Sequence, residues 1–447
     1  MAQPRTARTR STPEQRGWYW YDWANSAFQT TVITVFAGPY LTAVARAAAD
    51  AGGYVHPLGV PVRAGAYYPY LVSLSALVQV LCMPVLGAIA DRTGRRRLLL
   101  GLLAYLGAGA GLLLWLVTGG RYLLGGVLFL VSTVAFGSAN VVYAAFLPDI
   151  AAPDERDAVS SKGWALGYLG GGLLLAADLV LFRLADAGAV PLAGGTAVRL
   201  SMASAALWWA GFTVIPLLRL RDRAGHRAVA GSVLRAGFGQ LRATFGRLTR
   251  TPVTLLFLVA YLLYNDGIQT VISQSSVYAD QELRMTASVI IVAILLVQFV
   301  AMVGAWLMGR LAERHGAKRV ILASLLVWTS VLAYAFVLPA ARVSPFFVLA
   351  VLIGFVLGGT QALSRSLYSH MIPRGREAEY FSVYEIADRG TSWLGTFLFG
   401  LALQFSDSYR LAIISLLVFF VLGFALLART PIRAAIAEAG NPAPARL

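Results

Sequence analysis

The chain has 447 residues, 58% of them apolar and only 13% charged, too little polar surface to cover a soluble core of that size. Its net charge of +16 would suggest a nucleic-acid partner in a soluble protein, but most of the 37 Lys and Arg residues gather between apolar runs on one side, which excludes that reading. One cysteine, Cys82, leaves no disulfide framework, and no metal-ligand spacing or nucleophile–base arrangement argues for an enzyme, a metal or a cofactor.

The apolar runs are about twenty residues long, the length that crosses a bilayer as a helix, and only helices or closed barrels satisfy their backbone there. Spans are expected at 18–45, 67–90, 98–118, 122–147, 161–185 and 197–219, and again at 252–277, 287–311, 319–339, 345–370, 380–404 and 409–428. The first run opens on Trp18-Tyr-Trp-Tyr-Asp22, unlike a cleavable signal peptide. This makes an all-α membrane protein of twelve helices in two six-helix halves, 1–219 and 251–447. An Arg-rich linker, 220–250, is expected to lie along the membrane surface, and a polar stretch at 46–66 on the opposite side. Arg5 to Arg16, Arg92 to Arg97, the linker and Arg310 to Arg319 fall on one face. The positive-inside rule makes that face cytoplasmic, with both termini on it.

The halves repeat one another. Gly87, Asp91, Arg92 and Gly94 after the second span recur as Gly309, Glu313, Arg314 and Gly316 after the eighth, in the same spacing. Two copies in one orientation are the parallel repeat of major facilitator carriers. The glycines allow close helix approach. The acids can pair with neighbouring Arg residues and with the positive N-terminus of an adjacent helix, a latch that forms in one conformation and breaks in the other.

Charges inside a span cost about 2.5–3.5 kcal/mol at its centre, so each needs a reason. Asp22, Asn25 or Ser26, Gln29 and Thr30 form a polar stripe on the first span; Asp266, Gln269 or Thr270, Ser273 and Ser276 repeat it on the seventh. The fourth span offers Ser138, Asn140 and Tyr143, and the tenth Gln361, Ser364, Arg365 and Tyr368. In this architecture the first, fourth, seventh and tenth spans line the cavity. Arg365 can grip a carboxylate through two hydrogen bonds, Asp22 or Asp266 can hold an ammonium or a proton, and Tyr21, Trp23, Tyr261 and Tyr264 can pack an apolar side chain. Glu385 and Asp388 on the eleventh span are further proton-coupling candidates. Structural alternatives stand beside these roles. Asp22 and Arg365 can serve as helix-end partners, Asp266 can sit in a buried ion pair, and Glu385, Asp388 and Arg389 can neutralise one another. Asp178 can pair with Arg183 one turn on. Gly163, Gly167 and Gly171, four apart, read as a packing seam.

Several segments carry a narrower signature: Tyr21-Asp22-Trp-Ala-Asn25-Ser-Ala-Phe28, Phe146-Leu-Pro-Asp149-Ile150, Lys162-Gly-Trp164-Ala-Leu-Gly-Tyr168, Tyr264-Asn-Asp266-Gly267, Gly358-Gly-Thr-Gln361-Ala-Leu-Ser364-Arg365-Ser-Leu-Tyr368 and Glu379-Tyr-Phe-Ser-Val-Tyr384. Together they resemble the vacuolar-effluxer-like family, autophagy-related amino-acid exporters of fungi and their bacterial relatives. Glu379-Tyr380-Phe381-Ser382 stands where the family has Glu-Phe-Phe-Gly. The resemblance implies a monomeric carrier in the lipid bilayer that moves a small solute, an amino acid or similar zwitterion, by proton-coupled or facilitative transport. A larger amphiphile, or a receptor without flux, remain the rival readings. Arg-over-Lys usage and Ala/Gly richness point to a bacterial inner membrane.

Overall fold

A computed structural model describes residues 11–223, 246, 251–389, 393–406 and 408–446. Among the described residues eleven helices are long and apolar enough to cross a membrane, and with a twelfth, described in two shorter pieces, they make two six-helix bundles. The first bundle holds α1 (Pro13–Ala47), α2 (Tyr67–Thr93), α3 (Arg96–Leu113), α4 (Tyr122–Ala144), α5 (Arg156–Asp186) and α6 (Gly194–Arg219). The second holds α7 (Pro252–Gln281), α8 (Ala287–His315), α9 (Ala317–Val337) and α10 (Val343–Ser369). It is completed by α11, in two pieces (Glu377–Arg389 and Trp393–Ser406), and by α12, Tyr409–Ser415 with Leu417–Arg429. Most of the linker between the bundles lies outside the described residues.

The first helix begins where local chemistry satisfies its free N–H groups. α1 starts earlier than its apolar run, at Pro13, because Thr12 and Gln15 exchange hydrogen bonds as a capping box. Within α1 the stretch Gln29–Phe36 is π-helical, a wider turn that hydropathy does not reveal and that is frequent at functional sites. The polar stretch near 46–66 folds as a two-residue hairpin, β1 (Tyr54–Val55) against β2 (Val62–Arg63), with His56 Nε2 at 2.9 Å from Asp50. After α12 a short helix, α13 (Ile432–Glu438), precedes a tail that crosses the termini-side face. Asn441 donates to the carbonyls of His370 and Ile372, and the Ala445 N–H donates to Asp154 in the other bundle.

The glycine series on α5 is the seam against α1. A Cβ at Gly163 would meet Asp22 and Trp18, at Gly167 Ser26, and at Gly171 Thr30. Only residues without side chains let α5 come so close, and the approach sets the polar stripe of α1 at the junction of the bundles.

Candidate functional site

Between the bundles lies a cavity of about 670 Å³, within the roughly 300–1,000 Å³ of small-molecule sites. It runs from Asp22 and Arg365, toward the termini-side ends of α1 and α10, to Tyr68, Tyr278 and Phe346 near the opposite ends of their helices.

Its floor is an ion pair across the bundle interface. Arg365 Nη2 is 3.4 Å from Asp22 Oδ2, and both residues are buried. Arg365 also donates to Ser160 Oγ at 3.0 Å and to the Ser160 carbonyl at 3.1 Å. Trp18, Trp164 and Tyr143 surround the guanidinium, with ring centroids 4.6, 5.3 and 5.6 Å from Cζ, a cation–π cage. Trp18 is itself held by a hydrogen bond to the Tyr143 carbonyl and by stacking on the Tyr143 ring. The charge of Arg365, carried by the second bundle, is thus fixed in direction by groups of the first bundle.

Above the floor the walls divide. One polar wall has Asn25 donating to Asn140 (2.8 Å), Tyr168 donating to Gln361 (2.8 Å) and Gln298 donating to Thr30 (2.9 Å); the last two cross between the bundles. Asp388 accepts from Tyr261 at 2.9 Å and from Asn265 at 2.8 Å, and Glu385 lies close by on the cavity surface. An apolar part of the lining comes from Ile290, Ile294 and Val297 of α8 and Leu349, Ile353 and Leu357 of α10.

Of the expected binding residues, Asp22, Asn25, Gln29, Asn140, Tyr143, Gln269, Gln361 and Arg365 lie on this surface, as do Tyr261, Glu385 and Asp388. Tyr21, Tyr264 and Asp266 do not. Tyr21 packs on Tyr143 behind the wall, and Tyr264 is buried with its hydroxyl 2.6 Å from Ser364. Asp266 faces Gly395 of α11. At 100° per residue Asp266 and Gln269 are about 60° apart, so Asp266 lies at the edge of the polar stripe, on the side packed against α11. Trp23 stacks on Trp208 instead of reaching the cavity. Asp178 accepts from Ser204 of α6 at 3.0 Å, not from Arg183. Trp164, Tyr168 and Ser160 were not anticipated. Their signal was present: Ser160, Trp164 and Tyr168 are four apart on the face of α5 adjoining the glycine seam.

The termini side of the cavity is closed. Asp91, at the end of α2, accepts from the N–H groups of Ala378 (3.1 Å) and Glu379 (2.8 Å) in the first turn of α11. Arg96, brought back by the left-handed Gly94 (φ 63°), holds Asp91 at 2.6 Å, Asp149 at 2.8 Å and Glu377 at 2.5 Å. The guanidinium that bridges these carboxylates is that of Arg96, four residues after the expected Arg92 and past Gly94, at the start of α3. In the second copy Gly316 is again at positive φ (87°) and Gly309 packs on Ser161. Glu313 there is exposed, and it and Arg314 close no side-chain ion pair among the described residues. The ion pairs that join the bundles on this side therefore gather around the first copy.

Residues 10–440 match the family model described as vacuole effluxer Atg22 like. The chain belongs to the Atg22-like family. It is 30% identical to the "Uncharacterized MFS-type transporter YxiO" of Bacillus subtilis (strain 168), over 94% of this chain and 96% of that protein. It is 28% identical to "Autophagy-related protein 22" of Yarrowia lipolytica, over 81% and 75% of the two chains. Solved structures with this fold include the proton:xylose symporter XylE bound to 6-bromo-6-deoxy-D-glucose (TM-score 0.70, 13% identity, 93% of this chain and 94% of that one). FucP in the outward conformation is another (TM-score 0.68, 13% identity, 94% and 99%). This Atg22-like protein is a multi-pass membrane transporter of the major facilitator type, not an enzyme.

Proposed function

We propose that this Atg22-like protein moves amino acids or similar zwitterions across a bacterial inner membrane by alternating access. The observation that carries the reading is the Asp22–Arg365 pair on the cavity floor. A zwitterion entering between them exchanges one protein–protein ion pair for two protein–substrate pairs. Its carboxylate takes the Arg365 guanidinium, and its ammonium takes Asp22. Net charge at the floor stays unchanged, so no uncompensated charge is buried, whereas a simple anion or cation would leave one. The apolar α8–α10 wall suits a branched or aromatic side chain. A drug or lipid exporter fits less well, because Arg365 is turned toward the cavity and caged there.

Positive-inside charge puts the termini in the cytoplasm, which makes this conformation outward-facing. Asp22, Glu385 and Asp388 are the carboxylates on the cavity surface and the candidates for proton coupling. Asp266, off that surface, is a candidate only through a path behind α11.

A thermal-stability screen of the purified carrier tests the substrate class. A ligand at 100 times its dissociation constant stabilises by about 2.7 kcal/mol. Leucine, isoleucine or tyrosine should raise the melting temperature of wild type and leave Arg365→Ala and Asp22→Asn unmoved. A shift with amphiphiles and none with any amino acid would sink the zwitterion reading. Flux into liposomes with and without an imposed pH gradient tests proton coupling, and equal rates would remove it.

A further inference from the structure

A second polar cluster lies inside the first bundle, away from the cavity floor. Asp178 of α5 is 4% exposed, and Thr31 of α1 and Ser201 of α6 are fully buried. Ser204 Oγ donates to Asp178 Oδ1 at 3.0 Å. The other carboxylate oxygen of Asp178, the Thr31 hydroxyl and the Ser201 hydroxyl are all buried without a hydrogen-bond partner. Both hydroxyls nevertheless face the carboxylate. Three hydroxyls from α1 and α6 thus gather around one carboxylate of α5, and among the described residues no cationic side chain is bonded to them.

An unpaired carboxylate and open hydroxyls in the interior of a membrane bundle are costly. A cation among them would satisfy all at once. Oxygen-only donors select a hard cation, and one carboxylate balances one positive charge, which disfavours a divalent ion. We infer that Asp178, Thr31, Ser201 and Ser204 form a binding site for a monovalent cation, sodium, held within the first bundle.

The site has a route to the transport cycle through α1. Thr31 lies in the π-helical stretch, and its neighbour Thr30 lines the cavity and accepts from Gln298 of the second bundle. A cation drawing Thr31 toward Asp178 fixes the turn that presents Gln29 and Thr30 to the cavity. Such a contact makes ion and substrate binding mutually dependent, by linkage. The inference does not rest on the substrate reading, since ion binding is measured without substrate.

The test is the melting temperature of the full-length purified carrier across a NaCl titration, with choline chloride holding ionic strength constant and no substrate present. Wild type should show a saturable rise with sodium. Asp178→Asn and Ser201→Ala should flatten it, and Asp22→Asn should keep it. If Asp178→Asn fails to fold, Thr31→Val and Ser201→Ala still read the site through a weakened sodium dependence. A flat wild-type titration overturns the proposal. So does stabilisation on acidification with no response to sodium, which would make Asp178 a proton carrier. An equal response to potassium would overturn the assignment to sodium.

Discussion

The two copies of the repeated loop motif have nearly the same residues and end in different chemistry. At the first, Asp91 accepts two N–H groups from the start of α11, and Arg96 ties it to Asp149 and Glu377. At the second, the facing helix is α5, whose first turn already brings Asp157, bonded to Ser366 at 2.6 Å. That carboxylate leaves Glu313 facing a like charge, and Lys318, at the position of Arg96, donates instead to the carbonyls of Ala428 and Thr430. Glu313 stays in solvent. Pseudo-symmetry in sequence therefore yields one ion-paired junction between the bundles and one plain packing contact.

Mutations should separate the two copies, and the largest effect is expected at Asp91. Removing it leaves Arg96 with fewer partners and uncaps α11; breaking a buried pair costs about 3–5 kcal/mol, on the order of a hundredfold or more in the closed-latch population. Asp91→Ala should cut transport at least tenfold and raise labelling of a cysteine introduced at the termini-side seam. Unchanged transport and labelling would show that the latch contributes nothing.

Glycines come next. A Cβ at Gly87 would run into the Ala378 backbone carbonyl, whereas at Gly309 it meets the Ser161 side chain. Backbone gives way less readily than a small side chain, so Gly87→Ala should destabilise by about 1–3 kcal/mol and Gly309→Ala by less. Equal losses in melting temperature would erase the distinction.

The second seam should show itself through pH. His370, beside Arg156 (Nη1 to Nδ1 3.5 Å), is held down at about 3 by burial and then by the Arg156 charge. The unfolded chain binds the proton first, so stability is full above about pH 6.5 and is lost as pH falls toward 3. By pH 5 the loss is about 2 kcal/mol. His370→Gln should flatten the fall in melting temperature between pH 7.5 and 5. A slope equal to wild type would mean that other groups carry it.

The smallest effect belongs to Glu313. Exposed and unbridged, it should change stability by less than about 0.5 kcal/mol as Glu313→Gln, with transport close to wild type. A loss like that of Asp91→Ala would mean that the second copy latches in another state of the cycle.

Much of this protein was determined by sequence alone, because the bilayer leaves the chain few choices. Runs of about twenty apolar residues must be helices, their number and the repeated motif point to the two-bundle fold, and polar stripes on α1 and α10 located Asp22, Asn25, Gln29, Gln361 and Arg365. What periodicity could not resolve was which of several polar residues on a helix faces the cavity and which faces a neighbour. Asp266 and Gln269 sit on one helix, yet only Gln269 reaches the cavity. Tertiary packing also decided the partners. Arg365 meets Asp22 because the glycines of α5 let α1 approach, Asp178 meets Ser204 instead of Arg183, and Arg96 reaches three carboxylates from both bundles. Those choices depend on which helices touch and at what height, information carried by the fit of side chains between helices and by no single stretch of the chain.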